Sequence, residues 1–298
     1  MKEITLEELL EAGCHFGHQV TRQNPKARDF VFEARDNIHI IDLAKTKEGL
    51  DEAAAYVKNI AKQNGTMVVV GSKRQAAPVI LEEVKRVKET LAEKHVAPGV
   101  FTVTARWIGG TLTNMGEVTK NYKKLHELES KLKDDMEKAK YTKKEVGMWD
   151  KERAKLEMYY GGISDMKEKP SVLFVVDTHL ENLAVMEAMR TGVPTVGIVD
   201  TNADPTLIDY VIPANDDAVG SLQLLISHIM NAWMEGREES MKASQDEAKA
   251  VAKRAAAAEE KAASASLAQE EKKETKSSPA KASEDKPKAK KVSKKEEK

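Results

Sequence analysis

Thr66-Met-Val-Val-Val-Gly71, TMVVVG, is the stretch that decides the architecture. Asn64-Gly65 punctuates it on one side and Gly71 on the other. Between them Met67, Val68, Val69 and Val70 run without any polar alternation. A strand with one wet face alternates, whereas a strand buried on both faces reads as a continuous apolar run, as in parallel sheets. The segment before it places Leu50, Ala54, Val57 and Ala61 at helical spacing and stops at Asn64-Gly65. Helix Gln75–Leu91 follows, then the short β run Val100–Val103. After a gap the alternation resumes with strand Ser171–Asp177, helix Glu181–Arg190, strand Thr195–Asp200, a short strand at Tyr210–Ile212 and a last helix from Asp216 to Glu235. Strands alternating with helices predict an α/β fold, a doubly wound and Rossmann-like parallel sheet.

The flanking segments read differently. Near the N-terminus Ile4, Leu6, Leu9 and Leu10 predict a short helix, with Thr5 as N-cap, Glu8 at capping-box spacing and Gly13 as its stop. Phe30–Ile41 reads as two β runs around the turn signal Asp36-Asn37. Residues 115–160 break the α/β alternation: Val118, Tyr122, Leu125, Leu128, Leu132 and Met136 recur every three or four positions, and Trp149, Leu156 and Tyr160 form a second face. That pattern predicts an antiparallel helical hairpin inserted in the sheet domain, each arm spanning roughly 30 Å if about 20 residues long. From 237 to 298 the chain is built of Ala, Lys, Glu and Ser and holds too few large apolar residues for a core, so a disordered C-terminal tail is expected. The expected domains are therefore 1–114 with 161–236, the insertion 115–160, and the tail 237–298.

Composition narrows the class. The 298 residues are 41 % hydrophobic and 33 % charged, with a net charge of −1, so any charged surface must be local. Cys14 is the only cysteine, which excludes a disulfide framework and fits a reducing compartment. The N-terminus is acidic and has no apolar core of a signal peptide. No apolar run approaches the roughly 20 residues that cross a bilayer. A cytoplasmic protein without membrane contact is expected.

Arg106-Trp-Ile-Gly-Gly-Thr-Leu-Thr-Asn114 poses the functional question, because a glycine pair between a strand and a helix can cradle a phosphate. There is no G-x-x-x-x-G-K-[ST] loop, no G-x-G-x-x-G after strand 66–70, and no G-x-S-x-G elbow. A nucleotide-binding enzyme thus rests on fold class and strand-end aspartates alone, and no catalytic residue and no cofactor are expected. Cys14, His15 and His18 lack the second ligand pair of a zinc site, so a turn shaped by Gly13 and Gly17 is the alternative and no metal is expected. Asp177, Asp200 and Asp204 sit at strand ends, where Mg²⁺ ligation competes with helix and turn capping; Asp204-Pro205 reads as a cap. The basic residues form a more connected set. Lys73-Arg74 and Arg106-Trp107 lie in two strand-to-helix turns, and Arg22, Lys26 and Arg28 surround Asn24-Pro25. Beside glycine amides and the hydroxyls of Ser72, Thr111 and Thr113 they suit backbone phosphates, with Trp107 either stacking on a base or sitting in the core. Scattered surface lysines are the rival reading.

In order along the chain stand LLEAGCHFGHQVTRQNPK (Leu9–Lys26), IHIIDLAKT (Ile38–Thr46), GSKRQA (Gly71–Ala76), RWIGGTLTN, DTNADP (Asp200–Pro205) and IPANDDA (Ile212–Ala218). Together they resemble the bacterial second small-subunit ribosomal protein, the S-two family, over about residues 1–236. The resemblance implies a flavodoxin-like sheet with a protruding coiled-coil hairpin and no catalysis. It implies a structural role in the small ribosomal subunit: binding small-subunit rRNA between head and body, beside neighbouring ribosomal proteins, and docking the first small-subunit protein for initiation. It implies a protein that is not a homo-oligomer. The RNA-binding residues expected from the motifs are Arg22, Lys26, Arg28, Lys73, Arg74, Arg106, Trp107, Thr111 and Asn114. Two departures stand out: Thr21-Arg-Gln-Asn24 is short and lacks the family's tryptophan, and Ala214 replaces a glycine.

Overall fold

The computed structural model describes residues 3–243. The remaining stretch of the expected tail, 244–298, lies outside the described residues. Five parallel strands, β4 (Met67–Val70), β5 (Val100–Val103), β6 (Val172–Val175), β7 (Thr195–Val199) and β8 (Tyr210–Pro213), form one sheet in the order β5-β4-β6-β7-β8. Counted within this sheet the order is 2-1-3-4-5, the flavodoxin-like doubly wound order with its switch point between β4 and β6. Met67 pairs with Val100 on one side and Val172 on the other, so TMVVVG is indeed a central strand, and all four residues of β4 are buried.

Strand alternation sends side chains to two cores. Met67, Val69, Phe174 and Ile198 face the core that holds Val57 and Ala61 of α2 (Leu43–Lys62), Ile80 and Val87 of α3 (Ala76–Glu93), and Ile229 and Trp233 of α8 (219–243). Val68, Val70, Leu173 and Val175 face the other core, with Trp107, Tyr122, Tyr160 and Ala188. Each face of the sheet is thus covered, which is why its strands carry uninterrupted apolar runs.

A second, antiparallel sheet has the order β1-β3-β2, from β1 (Phe16–Gln19), β2 (Val31–Arg35) and β3 (Ile38–Ile41). The β2–β3 hairpin turns at Asp36 and Asn37, whose φ of 49° and 64° make the expected tight turn. β1 was not foreseen, because Gly17 and His18 interrupt any apolar alternation. Its glycine has a packing reason: a Cβ at Gly17 would lie 2.7 Å from Thr201 Cγ2. The first helix, α1 (Leu6–Glu11), has the full capping box between Thr5 and Glu8.

Residues 115–160 hold α4 (Met115–Lys133), the one-turn α5 (Asp135–Lys138) and α6 (Lys143–Tyr160). Tyr122 meets Tyr160 edge-on at 5.7 Å, Lys124 pairs with Glu152, and Lys131 lies 5.8 Å above Trp149. Positions rise on α4 as they fall on α6, so the helices run antiparallel. The apolar stripe is shorter than its spacing suggests: Val118, Tyr122, Leu125 and Leu128 are buried, but Met136 is 81 % exposed, beyond the break at Asp134. The expected boundary at 236/237 also moves. α8 runs across it, and buried Arg237 donates to Asn64 Oδ1 at 3.0 Å and to the Gly65 carbonyl. Those acceptors belong to the turn that ends α2, so the first residues of the low-complexity stretch are part of the core domain.

Candidate nucleic-acid interface

Open α/β sheets bind ligands beyond the carboxyl ends of their strands, at the switch point. Here that point lies between the turns after β4 and β6. Ser72 donates its N–H to Glu181 Oε1 at 3.1 Å, and its hydroxyl donates to the same oxygen. Lys73 Nζ lies 3.0 Å from Asp177, 2.6 Å from Asp216 and 2.8 Å from Asp217. Burial pulls the Lys73 pKa down, but the charge and hydrogen bond of Asp216, the hydrogen bond of Asp217 and the charge of Asp177 outweigh it and hold the ammonium above its ordinary value. Asp216 is pushed up to about 7 by its own burial and by the charges of Asp177 and Asp200, against the pull of Lys73.

His18 extends this cluster. Its Nδ1 lies 3.1 Å from Asp200 Oδ2 and its Nε2 3.5 Å from Asp217 Oδ2. The hydrogen bond to Asp200 raises its pKa against partial burial. Asp204 caps the turn that begins at Pro205, accepting from Thr206, and Asp177 accepts from the amides of His179 and Leu180 while pairing with Lys73, whereas Asp200 accepts from its neighbour Thr201 and faces His18 rather than capping. Ligand atoms of His18, Asp200 and Asp216 lie within 4.8 Å of one another, a nitrogen-and-oxygen set that suits a divalent cation. This grouping differs from the Cys14-His15-His18 set read in the sequence. Cys14 is fully buried and the His15 ring lies tilted against Phe16 at 4.0 Å, while His18 reaches aspartates more than 180 positions away.

The glycine pair after β5 forms a nest, and the nest is already filled. Gly110, at φ +95°, donates its N–H to Glu187 Oε1 at 2.6 Å. Leu112 and Thr113 donate theirs to Glu187 Oε2 at 3.0 and 3.3 Å, and the Trp107 indole N–H points at Oε1 from 3.4 Å. Glu187 is itself only 4 % exposed. The anion that the loop was built to hold is therefore a carboxylate of α7 (Asn182–Thr191), just as Glu181 fills the turn at Ser72.

These contacts engage four of the expected RNA-binding residues within the protein itself. Trp107 is 4 % exposed and sits in the core, because its ring packs on the sheet and its N–H is spent on Glu187. Thr111 is buried and donates its hydroxyl to the Ile108 carbonyl at 2.6 Å. Lys73 is neutralised by three aspartates, and Lys26 pairs with Asp204 at 2.6 Å. The structure leaves Arg22, Arg28, Arg74, Arg106 and Asn114 exposed, and the four guanidiniums have no ion pair or hydrogen bond among the described residues. Arg74 and Arg106 follow adjacent strands. The Arg22–Arg28 segment is tied over the same edge by the Asn24 N–H to the Thr201 carbonyl at 2.8 Å. Arg35, at the end of β2, is likewise exposed and without a partner among the described residues; its place at the end of a hairpin strand gave no signal in the sequence.

The protein is thus a flavodoxin-ordered α/β fold whose turns after β4 and β5 are closed by its own carboxylates and whose rim carries guanidiniums without a partner among the described residues. The family model of ribosomal protein S2 matches residues 9–236. The chain belongs to that family, whose members are structural constituents of the small ribosomal subunit in translation. Among the described residues no helix is long and apolar enough to cross a membrane.

Proposed function

We propose that the protein works in the ribosome of the cytoplasm, as one copy holding small-subunit rRNA between head and body. The observation that carries this reading is the split of charge at the carboxyl edge. Asp177, Glu181, Asp200, Asp216 and Asp217 crowd its centre, where a phosphate is repelled. Arg22, Arg28, Arg74 and Arg106 stand at the rim with no neutralising partner among the described residues. Exposed guanidiniums pair with backbone phosphates and position a protein without reading bases. Asn114, also exposed, adds a neutral contact on the same loop.

The test is the salt dependence of rRNA binding. Arg74→Ala and Arg106→Ala are each expected to weaken binding and to lower the slope against salt by about one unit per lost phosphate contact. Lys73→Ala is expected to leave the slope alone, since its charge is already spent on aspartates. Unchanged slopes in both arginine variants, or a change only at Lys73, would contradict the assignment.

The same reading includes protein partners. The antiparallel sheet keeps Phe16 and Phe32 open to solvent, Phe32 by 72 %. Exposed aromatic area of this kind suits docking of a neighbouring protein, and we assign it to the first small-subunit protein. Residues 115–160 act as a coiled-coil arm carried by the sheet domain of 1–114 and 161–236. Phe32→Ala is expected to release that partner while rRNA affinity stays; loss of both together would contradict separate surfaces.

A further inference from the structure

His18 belongs to β1 of the antiparallel sheet, while Asp200 follows β7 and Asp216 follows β8 of the parallel one. Their ligand atoms gather within 4.8 Å of one another although the two sheets supply them separately. The other contacts of these side chains decide which atoms face the gap. Asp200 Oδ1 accepts from the N–H of Thr201, which leaves Oδ2 facing His18 Nδ1 at 3.1 Å. Asp216 Oδ1 takes Lys73 at 2.6 Å. Its Oδ2, in a fully buried residue, has no hydrogen-bond partner. A buried carboxylate oxygen left bare carries an uncompensated desolvation cost. Charge deepens that cost, because four aspartates (177, 200, 216 and 217) share one ammonium, Lys73.

The geometry selects an ion rather than a larger ligand. Asp216 Oδ2 is closed to water, as expected of atoms around a gap that a water molecule does not fit and a small cation does. Ligands bonded to one ion at about 2.0–2.2 Å stand roughly 3 Å apart, which matches the 3.1 Å between His18 Nδ1 and Asp200 Oδ2. The widest pair has to close by no more than roughly half an ångström. An imidazole nitrogen beside two carboxylates suits a transition ion, whereas Mg²⁺ keeps to oxygen. The outer contacts fit as well. His18 Nε2 faces the Asp217 carboxylate at 3.5 Å and the Asn202 amide at 3.3 Å. A ligating imidazole is usually oriented in this way, with its far N–H given to a carboxylate. Asp217 is half exposed, so the cluster opens to solvent on that side. We propose that His18 Nδ1, Asp200 and Asp216 hold a divalent transition-metal ion that clips β1 to the ends of β7 and β8. The ion is structural, and rRNA binding at the arginine rim does not require it.

The experiment is calorimetric titration of the full chain, first stripped of metal with a chelator, using Zn²⁺, Mn²⁺ and Mg²⁺. One Zn²⁺ or Mn²⁺ per chain is expected at this site, with a raised unfolding midpoint and no displacement by Mg²⁺ at equal concentration. Mn²⁺ is expected to broaden the His18 ring resonances, which locates the ion without any substitution. His18→Ala and Asp216→Asn are each expected to weaken uptake about tenfold or more. Asp216→Asn keeps the side-chain shape and an acceptor for Lys73, so the metal-free variant is expected to retain a cooperative unfolding transition. His126→Ala removes the exposed histidine beside Glu129 and Asp165 on the hairpin and is expected to change nothing. Absence of uptake, displacement by Mg²⁺, broadening that spares His18, undiminished affinity in both ligand variants, or loss of the ion in His126→Ala would overturn the assignment.

Discussion

Glu187 shows how a single buried charge shapes a loop. Three backbone amides, a hydroxyl and an indole N–H converge on its two oxygens. Removing it strands those donors in the core, and each unsatisfied buried donor costs about 1–3 kcal/mol. Glu187→Ala is therefore expected to lower stability by roughly 3 kcal/mol or more in urea unfolding, with the 106–114 loop losing order. A change within about 0.5 kcal/mol would contradict the hub. The donors were legible in the sequence: Gly109-Gly110 after a strand is a nest. Their acceptor was not, because it lies some 75 positions away on a helix whose pattern reads only as amphipathic. Trp107 illustrates the same limit, since a tryptophan beside an arginine suits a base or a core equally until the packing is seen. His228 gives a titration to follow. Its folded pKa lies below the unfolded value of about 6.5, so the stability it allows is present above that pH and is lost as pH falls through the lowered folded pKa. Urea midpoints should decline below about pH 6.5, and His228→Gln should flatten that decline. An unaltered decline in the variant would contradict the role.

At the scale of elements, apolar runs and helical spacing carried the sheet. β4, β6 and β7 are buried on both faces, and such strands leave an unmistakable pattern. β1 was invisible because its half-buried residues, FGHQ, owe their conformation to β3 and Thr201 rather than to propensity. The end of α8 was misplaced for a different reason. An Ala-, Lys- and Glu-rich segment reads as solvated, yet Arg237 reaches Asn64 and Gly65 and stacks 5.1 Å from Trp233. Truncation after 236 removes that clamp and is expected to cost about 2–4 kcal/mol. Truncation after 243 keeps it and should lower the unfolding midpoint less. Equal midpoints for the two truncations would contradict a structural role for 237–243.

Across the whole molecule, a net charge of −1 conceals a sorted surface. Carboxylates gather at the switch point, where a nucleotide enzyme of this topology would bind phosphate, and guanidiniums stand around them. Order of motifs made the family legible; sorting of charge was not, because Lys73 and Arg74 are neighbours in sequence with opposite fates in the fold. Under the proposed function the protein is held on the small subunit in part by electrostatic contacts. The most direct measurement is its position in a sucrose gradient of cell lysate, at moderate and then at high salt. Sedimentation with small subunits, partly lost as salt rises, is the predicted result. Residence in the free fraction at both salts would contradict it.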